Sequence, residues 1–231
     1  QMVVHDLKNP LASIMGNAQL ILMQKTQLTP ARLEELLQRS QESARQLMRM
    51  ILNILHIGKM EERKMPLRLE PLALHEIVQE NVSEMSGMSA RDRIELENRV
   101  PRDLPPLVAD RELVGRVVAN LLSNALKHTP AGGRVVVEAR PDGEEMVLTV
   151  SDTGEGIPED LQPHIFEKFV VGPGDHTRRM LYDSGLGLTF CRLTVLCHGG
   201  RIWLTSTPGA GTTVFIALRR QGPPSPGAVE P

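Results

Sequence analysis

Cysteine is nearly absent from this sequence, since only Cys191 and Cys197 occur in 231 residues. They stand six positions apart on an expected helix, so their side chains point in different directions. A count this low excludes a disulfide-rich secreted scaffold and fits a reducing compartment. We therefore expect two buried thiols.

Charge of one sign and long apolar runs are also missing. The 26 basic and 28 acidic residues leave a net charge of -2, which argues against nucleic acid and against an acidic membrane surface as partners. No uncharged apolar run reaches the roughly 18 residues needed to cross a bilayer, and no segment resembles a signal peptide. These absences predict a cytoplasmic segment with no nucleic-acid partner.

Apolar residues near the N-terminus repeat at alternating steps of three and four, which is the heptad of a coiled coil. The first repeat is Val4, Leu7, Leu11, Ile14, Ala18 and Ile21. Thr29 and Pro30 predict the cap and first position of a second helix. Its repeat is Leu33, Leu37, Ser40, Ala44, Leu47, Ile51 and Ile54. Two helices cannot bury both seams and flanking residues such as Leu36 and Met50, so we expect a homodimer that forms a four-helix bundle.

The helical seam fades from Gly58, and residues 63–70 carry charge and a proline, which predicts a hinge after a first domain at 1–62. Over 71–220, helices and mostly antiparallel strands predict an α+β two-layer sandwich. Helices are expected at about 73–86, 110–128 and 187–198, and strands at 67–70, 93–100, 134–140, 145–151, 201–206 and 212–218. Residues 221–231 are rich in proline and glycine and predict a disordered tail.

A histidine near the start of the first helix is the first candidate for chemistry. His5 stands beside Asp6 and one helical turn before Asn9, so His5 and Asn9 share a helix face. A single helical histidine is structural or exposed more often than functional, and both interpretations stay open from this segment alone.

The helix expected at 110–128 has an apolar stripe and a separate polar flank. Asn120, Asn124 and Lys127 lie close together on that flank. Neutral amide oxygens suit a Mg²⁺ ion that nucleotide phosphates already carry, and a lysine neutralises phosphate charge. The alternative is a solvated helix face, although asparagine is disfavoured in helix interiors.

An acidic residue followed by two glycines ends one of the expected strands. Asp152 stands at the edge of the sheet, and Gly154 and Gly156 let the backbone turn tightly past a ligand. A carboxylate there can accept a hydrogen bond from an exocyclic amine. The pattern is a weak indicator alone, because turns after strands carry glycine for conformational reasons.

A second glycine pair opens the helix expected at 187–198. Gly185 and Gly187 leave backbone N–H groups available for a phosphate at the helix N-terminus, again a weak indicator by itself. Residues 170–184, just before this pair, have the length and composition of a mobile lid or of a plain loop.

Together these segments resemble, in order and separation, the boxes of a sensor histidine kinase of a two-component system. They are an H box at 5–10, an N box at 120–129, a G1 box at 152–158, an F box at 165–169 and a G2 box at 185–188. The resemblance covers residues 1 to about 220. It implies a dimerisation and histidine phosphotransfer domain, followed by an ATP-binding domain of the Bergerat fold shared with gyrase-like ATPases and heat-shock chaperones.

The resemblance also implies a role for each matching residue. His5 is the phospho-acceptor, and Asp6 holds or deprotonates its other ring nitrogen. Asn9 implies phosphatase activity toward a phosphorylated response regulator. ATP and Mg²⁺ are the implied cofactors, with Asn124 as magnesium ligand and Asn120 supporting it. The other implied nucleotide-binding residues are Lys127, His128, Asp152, Gly154, Gly156, Lys168, Gly185, Leu186, Gly187 and Leu188.

One position separates this chain from the hydrolases of the same fold. Gyrase-like ATPases carry a glutamate at the place of Asn120 as general base for water, and an amide cannot take that proton. We expect phosphoryl transfer to His5 and then to an aspartate of a response regulator receiver domain. A degenerate kinase that acts only as a dimeric scaffold or phosphatase is the main alternative, and a stand-alone ATPase is another.

A histidine kinase needs an input, so the resemblance implies a sensor domain upstream of this chain. A membrane-anchored parent protein and a soluble one both fit this expectation, and so do transfer in cis and in trans. The remaining histidines show no spacing typical of metal ligands and are expected to be structural or exposed. They are His56, His75, His164, His176 and His198.

Overall fold

The computed structural model describes residues 2–24, 27–62, 64–168, 170 and 185–223, and at residues 2–6 and 46 it describes the backbone alone. Most of the expected lid at 170–184 lies outside the described residues. The same holds for the expected tail beyond residue 223.

Two helices open the chain, α1 at Met2–Met23 and α2 at Pro30–Glu61. The Thr29 hydroxyl accepts the Arg32 N–H at 3.3 Å and Pro30 occupies the first turn, so the predicted start of α2 is confirmed. The helices pack side by side, with hydrogen bonds of 3.2 Å from Asn17 to Ser40 and from Ser43 to Ser13. This pairing confirms the predicted helical hairpin.

The apolar residues of α2 divide between two faces rather than forming a single seam. The row that faces α1 is Leu36, Ser40, Ser43, Leu47 and Met50, with Leu36 and Met50 buried. The heptad pattern placed Leu36 and Met50 as flanking residues, and within one chain these two are the buried ones. Leu37 and Ile51, which it placed in the seam, are 51% and 46% exposed in the single chain. Both rows have heptad spacing, and only packing against α1 decides between them.

The rest of the chain alternates strands and helices. The strands are β1 at Leu69–Leu72, β2 at Glu95–Asn98, β3 at Leu107–Asp110, β4 at Arg134–Asp142, β5 at Glu145–Asp152, β6 at Arg201–Thr207 and β7 at Gly211–Arg219. The helices are α3 at Leu74–Asp92, α4 at Arg111–His128 and α5 at Gly187–Cys197.

These elements form a two-layer α/β sandwich. The main sheet has the order β2-β4-β5-β7-β6, in which β2 and β4 are parallel and the other neighbours antiparallel. Strands β1 and β3 form a separate antiparallel pair. The predicted α+β sandwich is confirmed.

Several elements differ from the sequence prediction in extent or existence. Strand β1 lies two residues later than the predicted 67–70, and β2 has four residues where 93–100 was predicted. Helix α2 continues past Gly58 to Glu61, and α3 runs to Asp92, where Arg93 ends it in a left-handed conformation with φ of 56°. Strand β3 is absent from the prediction, because its four residues follow two prolines and show no alternation of their own. It forms by pairing with β1, a contact distant in sequence.

Helix α4 lies at the centre of the core. Its predicted apolar stripe is confirmed, since every member is buried: Val114, Val117, Val118, Leu121, Leu122 and Ala125. Valines 135 and 137 of β4 and Phe190 of α5 are fully buried in the same core. Because this stripe faces the sheet, the polar flank of α4 faces away from it.

Two smaller predictions concern the thiols and the membrane. Cys191 is buried as predicted, whereas Cys197 is only half-buried, and both are free thiols. Within the described ranges, no helix combines the length and apolar character required of a transmembrane span.

The exposed apolar residues Leu37 and Ile51 of α2 lead to a prediction about assembly. We expect a homodimer in which Leu37 and Ile51 meet a second copy. Replacing both by glutamate is expected to raise the dimer dissociation constant roughly a hundredfold, equivalent to about 2.7 kcal/mol, because charges would enter an apolar interface. Analytical ultracentrifugation measures this effect, with Gln38→Glu at an exposed position on a different side of the same helix as the matched control. A monomeric parent chain at micromolar concentration would contradict the prediction.

Candidate functional site: a groove between helices α4 and α5

Helix α4 is held at its N-terminus by one carboxylate. Asp110 Oδ1 accepts the Leu113 N–H at 3.1 Å, and Oδ2 accepts the Arg68 N–H at 2.9 Å. This cap fixes the helix axis, and with the buried stripe it fixes the rotation of the helix. The polar flank consequently presents Asn120, Asn124 and Lys127 together, and all three residues are half-buried.

The first residue of this flank lies against the start of α5. A Cβ placed on Gly187 would be 3.7 Å from Asn120 Oδ1, so little more than van der Waals space separates the two segments. One turn further along α5, the Cys191 thiol donates to the Val117 carbonyl at 3.8 Å and hydrogen-bonds the Asn120 side chain. Burial raises the pKa of this thiol to about 12, so it stays protonated. The segments at 120–128 and 185–188 therefore meet at Asn120.

The other end of the flank lies against the segment that follows β5. The His128 carbonyl accepts the Glu155 N–H at 3.2 Å, and His128 Nδ1 lies 2.9 Å from Glu155 Oε1. A Cβ on Gly154 would stand 2.3 Å from the His128 carbonyl oxygen, so only glycine allows this approach. The glycine that the sequence associates with a ligand is thus also required by packing.

Asp152 lies at this junction with one of its oxygens fixed. Oδ1 accepts the Gly154 N–H at 2.8 Å and the Thr212 N–H at 3.3 Å. Burial raises the pKa of the Asp152 carboxyl, while these two N–H groups and nearby His128 act in the opposite direction. Both backbone bonds end on Oδ1, so the carboxylate is oriented with Oδ2 on its other side.

The turn after Asp152 passes very close to the turn between β6 and β7. Gly156 has φ of 71°, and a Cβ there would stand 2.2 Å from the Thr207 carbonyl oxygen. The Gly209 N–H donates to the Glu155 carbonyl at 2.7 Å. These contacts hold the 152–156 segment in a fixed place next to α4. We call the surface bordered by the segments at 120–128, 152–156 and 185–188 the groove.

The N-terminus of α5 has no side-chain cap. Leu186 occupies the cap position and is buried, and Leu188 packs against the core. The leucine side chain at the cap position cannot accept a hydrogen bond, so it leaves the N–H groups of the first turn without a side-chain cap. Such a terminus suits an anion, because free donors and the helix dipole act together.

Some predicted site residues lie elsewhere. Lys168 is within 2.5 Å of Glu61 Oε1 on α2, so its amine contacts the helical hairpin in this conformation. Asn9 is half-buried on α1. The backbone of His5 and Asp6 belongs to α1, and their side chains lie outside the described part of the chain.

The structure adds three contributors that the sequence did not indicate. Thr212 orients Asp152 through its backbone N–H, which no side-chain pattern reveals, and Glu155 binds His128 across the groove. Arg116 on α4 contacts α2, although one arginine in a helix carries no distinguishing signal. Within the described ranges, no group of three or more acidic, histidine or cysteine side chains is arranged to hold a metal.

Comparisons with known proteins cover both parts of the chain. Residues 1–63 match the family described as His Kinase A (phospho-acceptor) domain, and residues 109–222 match Histidine kinase-, DNA gyrase B-, and HSP90-like ATPase. Adaptive-response sensory kinase SasA of Microcystis aeruginosa is 32% identical over 222 residues, 94% of this chain and 57% of that protein. The chain thus spans little more than half the length of such curated relatives.

Solved structures agree with the sequence relatives. The mycobacterial sensor histidine kinase MprB is 32% identical with a TM-score of 0.54, over 68% of this chain and 99% of that chain. Histidine kinase ThkA in complex with response regulator protein TrrA has a TM-score of 0.64 at 22% identity, over 94% of this chain and 60% of that chain. This second likeness concerns the fold alone.

Two family matches follow one another along the chain, and MprB is covered almost completely at 32% identity. The chain therefore belongs to the sensor histidine kinases and contains their phospho-acceptor and ATP-binding parts.

Proposed function

We propose that this chain is an ATP-dependent autokinase that phosphorylates His5 and passes the phosphoryl group to an aspartate of a response regulator. The observation that carries the proposal is the convergence of three segments on one groove. Asn120 lies against Gly187 at one end of the polar flank of α4, and His128 lies against Gly154 at the other. The groove combines phosphate-binding groups with a carboxylate for the base, as a nucleotide requires.

The nucleotide would lie along α4 with its adenine at Asp152 and its phosphates toward α5. Asp152 Oδ2 would accept from the exocyclic amine, since Oδ1 already accepts two backbone N–H groups. Gly154 and Gly156 would border the base, while Gly185, Leu186, Gly187 and Leu188 would supply backbone N–H groups to the phosphates. Lys127 and His128 would add positive charge or donors, and Lys168 would do so after releasing Glu61.

The donors on α4 fit a magnesium ion that enters with the nucleotide. Mg²⁺ retains waters and phosphate oxygens and needs few protein ligands, and the amide oxygens of Asn124 and Asn120 are neutral ligands of the required type. When bound, the ion would neutralise the charge that develops on the phosphates. Asn124 would contact it directly and Asn120 would hold the site in shape from its position between Gly187 and Cys191.

The side chains favour transfer over hydrolysis. Asn120 cannot act as general base for water, because an amide does not accept a proton at neutral pH. His5 needs no base on the ATP-binding part, since neutral imidazole is a competent nucleophile near its pKa of about 6.5. A ring nitrogen of His5 would form the N–P bond as the bridging oxygen leaves with ADP. Asp6 would take the proton from the other ring nitrogen.

The helical hairpin would also serve the regulator. Asn9 lies one turn after His5 on the same face of α1, where its amide can align a water against a phosphorylated aspartate of the regulator. We propose phosphatase activity as a second function on this ground. That ThkA has been crystallised with a response regulator supports a partner of this class.

The proposal assigns residues 1–62 to dimerisation and phosphotransfer, 63–70 to a hinge and 71–220 to ATP binding. It places this part of the protein in the cytoplasm, where ATP is available and free thiols such as Cys191 and Cys197 persist. A degenerate kinase that acts as a dimeric scaffold or phosphatase is the second candidate, and labelling of the protein by ATP separates the two.

The first prediction concerns the phospho-acceptor. Incubation with γ-labelled ATP and Mg²⁺ is expected to give label with the acid-labile, base-stable behaviour of an N–P bond, and this label should disappear in His5→Gln because the variant lacks the nucleophilic ring nitrogen. His164→Gln, which changes an exposed histidine paired with Glu167, is the matched control and keeps the label. Label retained in His5→Gln would refute the assignment of His5. ATP binding without any label would leave the degenerate-kinase alternative.

The second prediction concerns the recognition of the base. Asp152→Asn is expected to weaken ATP binding roughly tenfold to a hundredfold, because an amide held by the same N–H groups turns its NH2 toward the adenine amine. An NH2 in that place can donate to the carbonyl of guanine, so the preference for ATP over GTP should fall. Titration with fluorescent nucleotides measures both, with Asp142→Asn at an exposed position as control. Unchanged affinities would remove Asp152 from the site.

The third prediction separates the two activities of the hairpin. Asn9→Ala is expected to slow dephosphorylation of the response regulator by about tenfold or more, because the attacking water loses its orienting group. The time course of label lost from a phosphorylated regulator measures this effect. Gln19→Ala removes an exposed amide from the same helix and serves as control. An Asn9→Ala protein as fast as this control would exclude the proposed role.

A further inference from the structure

One face of α2 docks on the α/β part of the molecule over the last turns of the helix. Its residues recur at intervals of three and one, which places them on one side of a helix. They are Asn53, His56, Ile57, Met60 and Glu61. Ile57 and Met60 are each 4% exposed and belong to the same core cluster as α4 and α5. The helical hairpin and the ATP-binding part are therefore packed together in this conformation.

Polar contacts stand on both sides of this apolar patch. Toward the C-terminus of α2, Glu61 pairs with Lys168. Toward the N-terminus, Asn53 is buried and its Oδ1 accepts from Nη2 of Arg116 at 2.7 Å. Apolar burial gives such an interface most of its stability, whereas buried hydrogen bonds determine its register.

Arg116 is enclosed by three side chains from two different parts of the molecule. Besides its bond to Asn53, it donates through Nη1 to Nδ1 of His56. Its Cζ lies 4.4 Å from the centre of the Phe190 ring, on which the His56 ring also stacks at 6.3 Å between centroids. A guanidinium has no acceptor, so His56 must be neutral with its proton on Nε2. Burial, with the charge of Arg116 as the next cause, lowers the pKa of His56 and favours this neutral form.

This network is rigidly connected to the nucleotide groove. Arg116 stands one helical turn before Asn120 on α4, and Phe190 stands three residues after Gly187 on α5. Both helices are anchored in the core by buried residues on their other faces. Any shift of Arg116 along α2 would therefore move the phosphate end of the groove by a similar distance.

Measured along the axis of the helical hairpin, the network also lies close to the position of the proposed phospho-acceptor His5. Ser13 is level with Ser43 in the antiparallel hairpin, so counting eight residues back along α1 and eight forward along α2 pairs His5 with Ile51. Asn53 is two residues beyond Ile51, a displacement of about 3 Å along the helix. The point at which Arg116 holds α2 thus nearly coincides in height with His5.

From these contacts we propose that Arg116 is a positioning residue for phosphoryl transfer. By binding Asn53 and His56 and packing on Phe190, it sets where the nucleotide groove lies along the axis of α2 relative to His5. This rests on the proposed autokinase function and assigns a determinant of its rate. Arg116 would make no contact with the reacting atoms and would act through the orientation of α4. A misplacement of about 1 Å between reacting groups can slow a reaction by about a hundredfold.

The test compares Arg116→Ala with Arg111→Ala in the full chain. Arg111 is on the same helix and pairs with Glu80 at 2.6 Å, so its replacement removes an equal charge without touching α2. Arg116→Ala is expected to lower the single-turnover rate of His5 labelling at saturating ATP by about tenfold or more, while nucleotide affinity stays within about twofold of the control. A purely structural role would change nucleotide affinity and thermal stability instead.

Asn53→Ala gives a second measurement that leaves the ATP-binding part intact. It should lower the labelling rate in the same direction, and the double variant should be no slower than Arg116→Ala alone, because both changes break one interaction. A labelling rate for Arg116→Ala or Asn53→Ala equal to that of Arg111→Ala would overturn the proposal. A higher rate would also overturn it, since Arg116 would then restrain the kinase. Absence of label in the parent chain would instead refute the autokinase function itself.

Discussion

The structure depends on helix α4 being fixed in both axis and rotation. Asp110 caps its first turn with Oδ1 and is itself held through Oδ2 by the Arg68 N–H, and the apolar stripe from Val114 to Ala125 buries one side against the sheet. With these two constraints, the other side has a single possible orientation. Asn120 then faces the start of α5, and His128 meets the turn after β5. The site is therefore a consequence of core packing rather than a feature added to the surface.

Close backbone approach gives the groove its shape, and neutral groups give it its chemistry. Gly154 passes the His128 carbonyl at a distance that excludes any side chain, and this contact places Asp152 beside α4. Asn120 supplies an amide where a hydrolase of this fold has a base. A site without a base for water would keep a phosphoryl group for an acceptor elsewhere in the chain, which suits the proposed kinase.

The sequence predicted the elements whose signals are local, and it failed where distant contacts decide. Thr29 and Pro30 defined the start of α2, and the stripe of α4 was recognised from its spacing. Strand β3 exists only through its pairing with β1, and the choice of Leu36 over Leu37 as the buried residue depends on α1. Arg116 was missed for the same reason. Its hydrogen-bond partners Asn53 and His56 lie about sixty residues earlier in the chain, on α2, outside the groove. The candidate nucleotide residues could be proposed from the sequence because each glycine segment borders an element that was itself predictable.

If the segments at 120–128, 152–156 and 185–188 form one nucleotide site, they should respond to nucleotide as a unit. Hydrogen–deuterium exchange with and without a non-hydrolysable ATP analogue and Mg²⁺ measures this response. All three segments are expected to gain protection together, with the same dependence on nucleotide concentration, while strands β1 and β3 on the separate two-stranded sheet do not change. Protection confined to one of the three segments, or protection centred on the pair of β1 and β3, would contradict a single nucleotide site.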